Sequence, residues 1–143
     1  MMISNISWNY FCANNGSLSS SETYCAISAI RHLDWTDFKK DEIQDLHADV
    51  IMGSDIVYFM DILPGLAKLL RNLLEINMHR GTKAYISCTQ RREQSIDTFL
   101  KCIKGEGLHY EVLLRRVFSP SDCVMITHEP LHSITIYKIS LES

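Results

Sequence analysis

The sequence predicts an α/β domain, and three observations carry that prediction. Val50, Ile51 and Met52 form an apolar run between Asp49 and the small pair Gly53-Ser54. The run has no polar alternation, the pattern of a strand buried on both faces of a parallel sheet. Next, Ile62, Leu66, Leu69, Leu70, Leu73 and Leu74 recur at steps of three and four residues, which predicts a long amphipathic helix over 61–78. A second apolar run over 83–89, centred on Ala84-Tyr85-Ile86, then predicts the next strand, so strand, helix and strand follow one another as in a βαβ unit.

The remaining elements follow from local chemistry. Asn14-Asn15-Gly16 is a turn, and 17–21 extends it as a polar loop. Residues 25–33 read as a short strand ending in Leu33-Asp34-Trp35, and 37–46 as a short surface helix with Ile43 and Leu46 on one side. The long helix is expected to be capped by Asp61, to tolerate Pro64 in its first turn, and to stop at His79-Arg80-Gly81. A second helix is expected over 93–106 on Ile96, Phe99, Leu100 and Ile103, closed by Gly107. Strands are expected over 110–117 and 133–141, with a loop carrying Pro120 and Pro130 between them.

Composition excludes several classes of function. At 143 residues the chain is one domain's worth, with 46% hydrophobic and 22% charged residues. A net charge of -3 gives no general attraction to nucleic acid or to an acidic membrane. No apolar stretch is read as a signal peptide or a membrane span, the longest helix being interrupted by Lys68 and Arg71. The five cysteines are an odd number, widely spaced and without a C-x-x-C pair, so a reduced, cytoplasmic protein is expected. His128-Glu129-Pro130-Leu131-His132 fits the zinc-protease pattern H-E-x-x-H, which needs a helix to bring both histidines together. Proline inside the pattern breaks that helix, and no metal site is expected.

Asp55 and Tyr58 stand just beyond the first apolar run, at the carboxyl end of a strand, where open α/β sheets bind their ligands. Taken alone, the pair reads first as turn chemistry, with Asp55 satisfying backbone amides and Tyr58 packing under the next helix. The D-x-x-Y of these residues after D-V-I resembles the motif that follows the fourth strand of the seven-strand, S-adenosylmethionine-dependent protein-lysine methyltransferases, in particular the elongation factor 2 lysine methyltransferase family. Leu33-Asp34-Trp35 is similar to the family's L-D-W after its third strand, and Thr89-Gln90-Arg91 with Phe99 to its T-V-R-N-P-E-T-x-x-x-F, although Arg92 and Glu93 replace Asn-Pro. Asn5-Ile6 and Asn9 are similar to a helix after the family's second strand.

The resemblance implies a partial Rossmann-like sheet, about strands three to seven of the order three, two, one, four, five, seven, six. Residues 1–24 would be an N-terminal segment, partly loop, and 25–143 the C-terminal part of a methyltransferase domain. It also implies catalytic roles for Asp55 and Tyr58 at the substrate lysine, and S-adenosylmethionine beside Asp34, Trp35 and Ser54. The implied partner is a protein substrate, elongation factor 2 by analogy. No G-x-G precedes a helix, so the family's glycine-rich cofactor loop has no counterpart. Two functions are therefore carried forward: a lysine methyltransferase fragment, and a truncated, catalytically inactive remnant that associates with itself or a partner through an exposed sheet edge.

Overall fold

The computed structural model describes residues 9–11, 29–89, 93–117 and 133–142. In chain order these form β1 (Asn9–Phe11), β2 (Ala29–Arg31), α1 (Lys40–Ile43), β3 (Val50–Ser54), α2 (Leu63–Ile76), β4 (Lys83–Thr89), α3 (Glu93–Gly105), β5 (Leu108–Val117) and β6 (Ser133–Leu141). Four strands make one mixed sheet in the order β3-β4-β6-β5, with β3 parallel to β4 and the other pairs antiparallel. This is the order expected for strands four, five, seven and six of the methyltransferase sheet.

The core lies on one face of that sheet. Leu66, Leu69, Leu70 and Leu73 of α2 and Ile96, Phe99 and Ile103 of α3 are buried in one cluster with Ile51, Ala84, Ile86, Tyr137 and Ile139 of the strands. Alternation along β4 and β6 directs every second residue into this cluster, as a sheet covered on one side requires. Arg71 ties the two helices together: its guanidinium pairs with Glu75 and donates to the carbonyls of Glu106 and Gly107 at 3.2 and 3.1 Å.

Several expectations are corrected. The β3 segment is buried on one face only: Ile51 is buried while Val50 and Met52 are 51% and 77% exposed. The reason is that β3 is an edge of this sheet among the described residues, and the helices that cover it pack on the Ile51 side alone. Of the strand expected over 25–33, residues 25–28 lie outside the described residues and Ala29–Arg31 pairs antiparallel with Asn9–Phe11 in a separate two-stranded sheet, where the resemblance implied a helix near Asn9. Asp61 does not cap α2. It lies in a 3₁₀ turn, Met60–Ile62, whose backbone supplies the first acceptor through the amide of Leu63 to the carbonyl of Met60, so no side-chain cap is used. The surface helix contracts from 37–46 to Lys40–Ile43. Gly81 and Gly107, at φ 67° and 65°, provide the left-handed stops expected after α2 and α3. The H-E-x-x-H segment and Gln90-Arg91 lie outside the described residues.

Two contacts join distant segments to the sheet. Asn77, fully buried after α2, accepts from the amide of Ala48 and donates through Nδ2 to the carbonyls of Leu46 and Leu73, each at 2.9 Å. Thr82 adds a bond from its hydroxyl to the carbonyl of Ala48 at 2.6 Å. Together they hold the entry to β3 against the end of α2. At the other end of that helix, a Cβ built on Gly65 would run into the backbone carbonyl of Trp35. Gly65→Ala is expected to destabilise the fold by about 1–3 kcal/mol despite alanine's better helix propensity, because the neighbour is rigid backbone. A urea midpoint at or above that of the native chain would contradict this contact.

Candidate active site

The carboxyl end of β3 opens to two cavities. Asp55, one residue past the strand, has φ 52°, the described non-glycine residue with positive φ. Aspartate tolerates this region better than most residues, yet the conformation is still held by its surroundings. The Asp55 amide donates to the carbonyl of Ser87 at 3.2 Å, and the Thr89 hydroxyl donates to Asp55 Oδ1 at 2.9 Å. Asp55, Tyr58 and Thr89 line a pocket of about 390 Å³ with Val57, Phe59, Cys88 and Ser95. The rings of Tyr58 and Phe59 stand 4.6 Å apart at 59°, and both side chains are about half exposed. The Ser95 hydroxyl, buried in the first turn of α3, donates to the Tyr58 carbonyl at 3.4 Å and fixes the loop from behind.

Cys88 forms a neutral wall of this pocket. Burial, and secondarily the Asp55 carboxylate, push its thiol up to about 12 from an ordinary 9.0. Its neutrality leaves Asp55 as the one charged group among the described lining residues, which taken together favour a cation.

The second cavity, about 520 Å³, is bounded by Trp35, Met52, Ser54, Ile56, Tyr85 and the inner face of α2, among others. Gly53 is in its wall; a Cβ there would lie 2.6 Å from Cδ1 of Ile56, so glycine lets that side chain fold back over the strand. Trp35 is 7% exposed, and its buried Nε1 has no hydrogen-bond partner among the described residues. Asp34 is exposed, and its carboxylate accepts from the hydroxyl and the amide of Thr36 at 2.7 and 2.8 Å, which holds it below the usual carboxylate range. It is spent on a turn and is not among the lining residues.

The structure thus brings Asp55 and Tyr58 into one pocket and Trp35 and Ser54 into another, and leaves Asp34 outside both. Sequence reasoning passed over Thr89 as a partner of Asp55, and over Phe59 and Cys88. Adjacency to Tyr58 was the available signal for Phe59, and the Thr89-Gln90-Arg91 match was one for Thr89; nothing local marks Cys88. Among the described residues no group of three or more histidine, cysteine, aspartate or glutamate side chains is placed to hold a metal. Nor, among the same residues, is any helix long and apolar enough to cross a membrane.

A family model described as lysine methyltransferase matches residues 13–106, a span that includes Trp35, the β3 residues of the larger cavity and the lining residues of the Asp55 pocket. The chain belongs to the lysine methyltransferase family. It is also similar to the protein-lysine N-methyltransferase EEF2KMT of Mus musculus, 21% identical over 114 residues, which is 80% of this chain and 32% of that relative. The chain therefore spans about a third of the length of the curated relative it matches. Strands β5 and β6, which complete the sheet, lie beyond the matched span.

Methyltransferases generally draw on S-adenosylmethionine, and the Trp35 cavity can be tested against its parts. The largely apolar walls, with the Trp35 ring among them, suit a flat heteroaromatic ring. Among the described lining residues the polar side chains are those of Ser54, Ser87, Tyr85 and Trp35, with no carboxylate or cation to meet a ribose diol or a charged amino-acid end. The described residues therefore fit the ring and do not fit the whole group.

Proposed function

We propose that this chain forms the lysine-receiving part of a cytoplasmic protein-lysine N-methyltransferase that uses S-adenosylmethionine. The observation that carries the reading is the shared pocket of Asp55 and Tyr58 at the end of a parallel strand. In this reading Asp55 accepts a hydrogen bond from the incoming ammonium and orients it. The faces of Tyr58 and Phe59 offer the same cation an attraction of about 0.5–1 kcal/mol each at this exposure. The ammonium must lose a proton before its nitrogen can act as a nucleophile, and Asp55 is the acceptor nearest to it. Trp35 and Ser54 are assigned to the cofactor side, which the described residues leave incomplete. The substrate is a protein lysine, by resemblance one in a translation elongation factor, and the charge balance argues against nucleic acid as a partner.

A specific observation favours a second reading, a non-catalytic module that self-associates. Among the described residues β3 is an edge strand with the exposed Met52 beside it, and an open edge is a template for another strand. Labelled methyl transfer to a translation-factor preparation, lost in Asp55→Asn, supports the enzyme. Sedimentation that changes with concentration, together with no transfer and no calorimetric heat on adding S-adenosylmethionine, supports the module.

Asp55→Gly separates function from turn chemistry. Glycine accepts φ 52° freely, so stability should hold or rise by up to about 1 kcal/mol while methyl transfer falls to background. Unchanged transfer in a stable variant would reduce Asp55 to a turn residue.

A further inference from the structure

We propose that Thr89 is a positioning residue that aims the Asp55 carboxylate at an incoming alkylammonium. The inference rests on the reading of Asp55 as the amine acceptor. Asp55 is exposed on a loop, and its carboxylate would ordinarily sample several rotamers. Two neighbouring residues of β4 prevent this. The Ser87 carbonyl takes the Asp55 amide at 3.2 Å, fixing the backbone in its left-handed conformation. Two residues on, the Thr89 hydroxyl takes Oδ1 at 2.9 Å.

Thr89 is itself well placed to act as a fixed donor. It is the last residue of β4, paired in register with Ile134 of β6, so the sheet sets the height of its hydroxyl. As a β-branched residue in a strand it has restricted χ1, so the hydroxyl direction is set as well. Thr89 faces the same pocket as Asp55, Tyr58 and Phe59. With Oδ1 engaged from the β4 side, Oδ2 has no partner among the described residues and can accept from a cation entering past the two rings. The aim of the carboxylate therefore comes from a residue 34 positions away.

The test uses the full chain and n-butylammonium, a mimic of the lysine side chain, titrated by NMR. Asp55→Asn should abolish the response. Thr89→Val, which keeps the shape without the hydroxyl, should weaken binding by about tenfold. Thr89→Ser, which restores the hydroxyl, should recover most of the loss, and Thr89→Val should add nothing in the Asp55→Asn background. Thr89→Ala serves as the second hydroxyl-free variant if valine disturbs the strand. Native affinity in the hydroxyl-free variants, or serine as weak as valine, overturns the positioning role while leaving Asp55 as the acceptor. Equal response from Asp55→Asn and the native chain overturns the reading of Asp55, and the positioning role with it.

Discussion

Asn77→Ala is expected to cost about 3–5 kcal/mol of folding stability, a large share of the roughly 5–15 kcal/mol typical of a domain. The side chain is fully buried and its amide spends one acceptor and two donors on backbone groups. Alanine leaves the amide of Ala48 and the carbonyl of Leu46 to find new partners, each at about 1–3 kcal/mol if buried and unmet. Asn77→Asp should be no better, since it sets a carboxylate oxygen against the carbonyls of Leu46 and Leu73. Asn72 is the control. Its amide donates to the carbonyl of Lys68 one turn back at 2.8 Å, a bond within one helix, so Asn72→Ala should cost roughly 1 kcal/mol or less. Urea unfolding of the three variants checks the ranking; equal losses at the two positions would contradict the staple role of Asn77. The consequence for function is direct, because the stapled segment leads into the strand that ends at Asp55.

Above pH 9 the fold should lose stability steeply, and Cys88 should be the main cause. In the unfolded chain this thiol releases its proton near 9.0, whereas in the fold it holds it to about 12. Between those values the folded state carries a proton that the unfolded state has lost, so unfolding is favoured as pH rises. The slope approaches about 1.4 kcal/mol per pH unit for one group. The stability linked to this thiol is fully present below pH 9.0 and is lost towards about 12. Tyr137, raised by burial first and by the neighbouring Cys88 second, acts in the same direction above its ordinary 10.0. Cys88→Ala should lower stability at pH 8 through the cavity it leaves, yet flatten the alkaline slope. Urea curves at pH 8, 9.5 and 10.5 measure both, and parallel slopes in the two proteins would remove Cys88 from the account. The same neutrality keeps the pocket wall from competing with Asp55 for a cation.

A methyltransferase reading places unusual demands on the end of β3. Consecutive residues at the strand's exit line different cavities, Ser54 the one beside Trp35 and Asp55 the one proposed for the amine. The positive φ of Asp55 is the backbone feature that turns the chain between them. Gly65, by admitting the Trp35 backbone against α2, keeps the second compartment's indole in place.

Much of the fold was legible because it is encoded in local periodicity. Strands over 83–89 and 133–141 were expected from their apolar patterns and are found as Lys83–Thr89 and Ser133–Leu141. The buried faces of α2 and α3 follow from three- and four-residue steps, and Gly81 and Gly107 from the need for a left-handed stop. The sidedness of β3 was not legible. Val50-Ile51-Met52 reads as apolar throughout, and a run of that kind does not state which neighbours are present to cover it. The L-D-W match likewise marks Asp34 and Trp35 together, although one is exposed in a turn and the other buried against a cavity.

By itself the sequence determined the order and kind of the main elements, and through its motifs the lysine methyltransferase family, since both are carried by residues close together in the chain. Tertiary structure alone decided that Asp55 shares a pocket with Thr89 and Cys88, and that Asn77 holds the entry to β3. Those contacts join residues about 30 positions apart, and they exist only once strand register has brought the segments side by side.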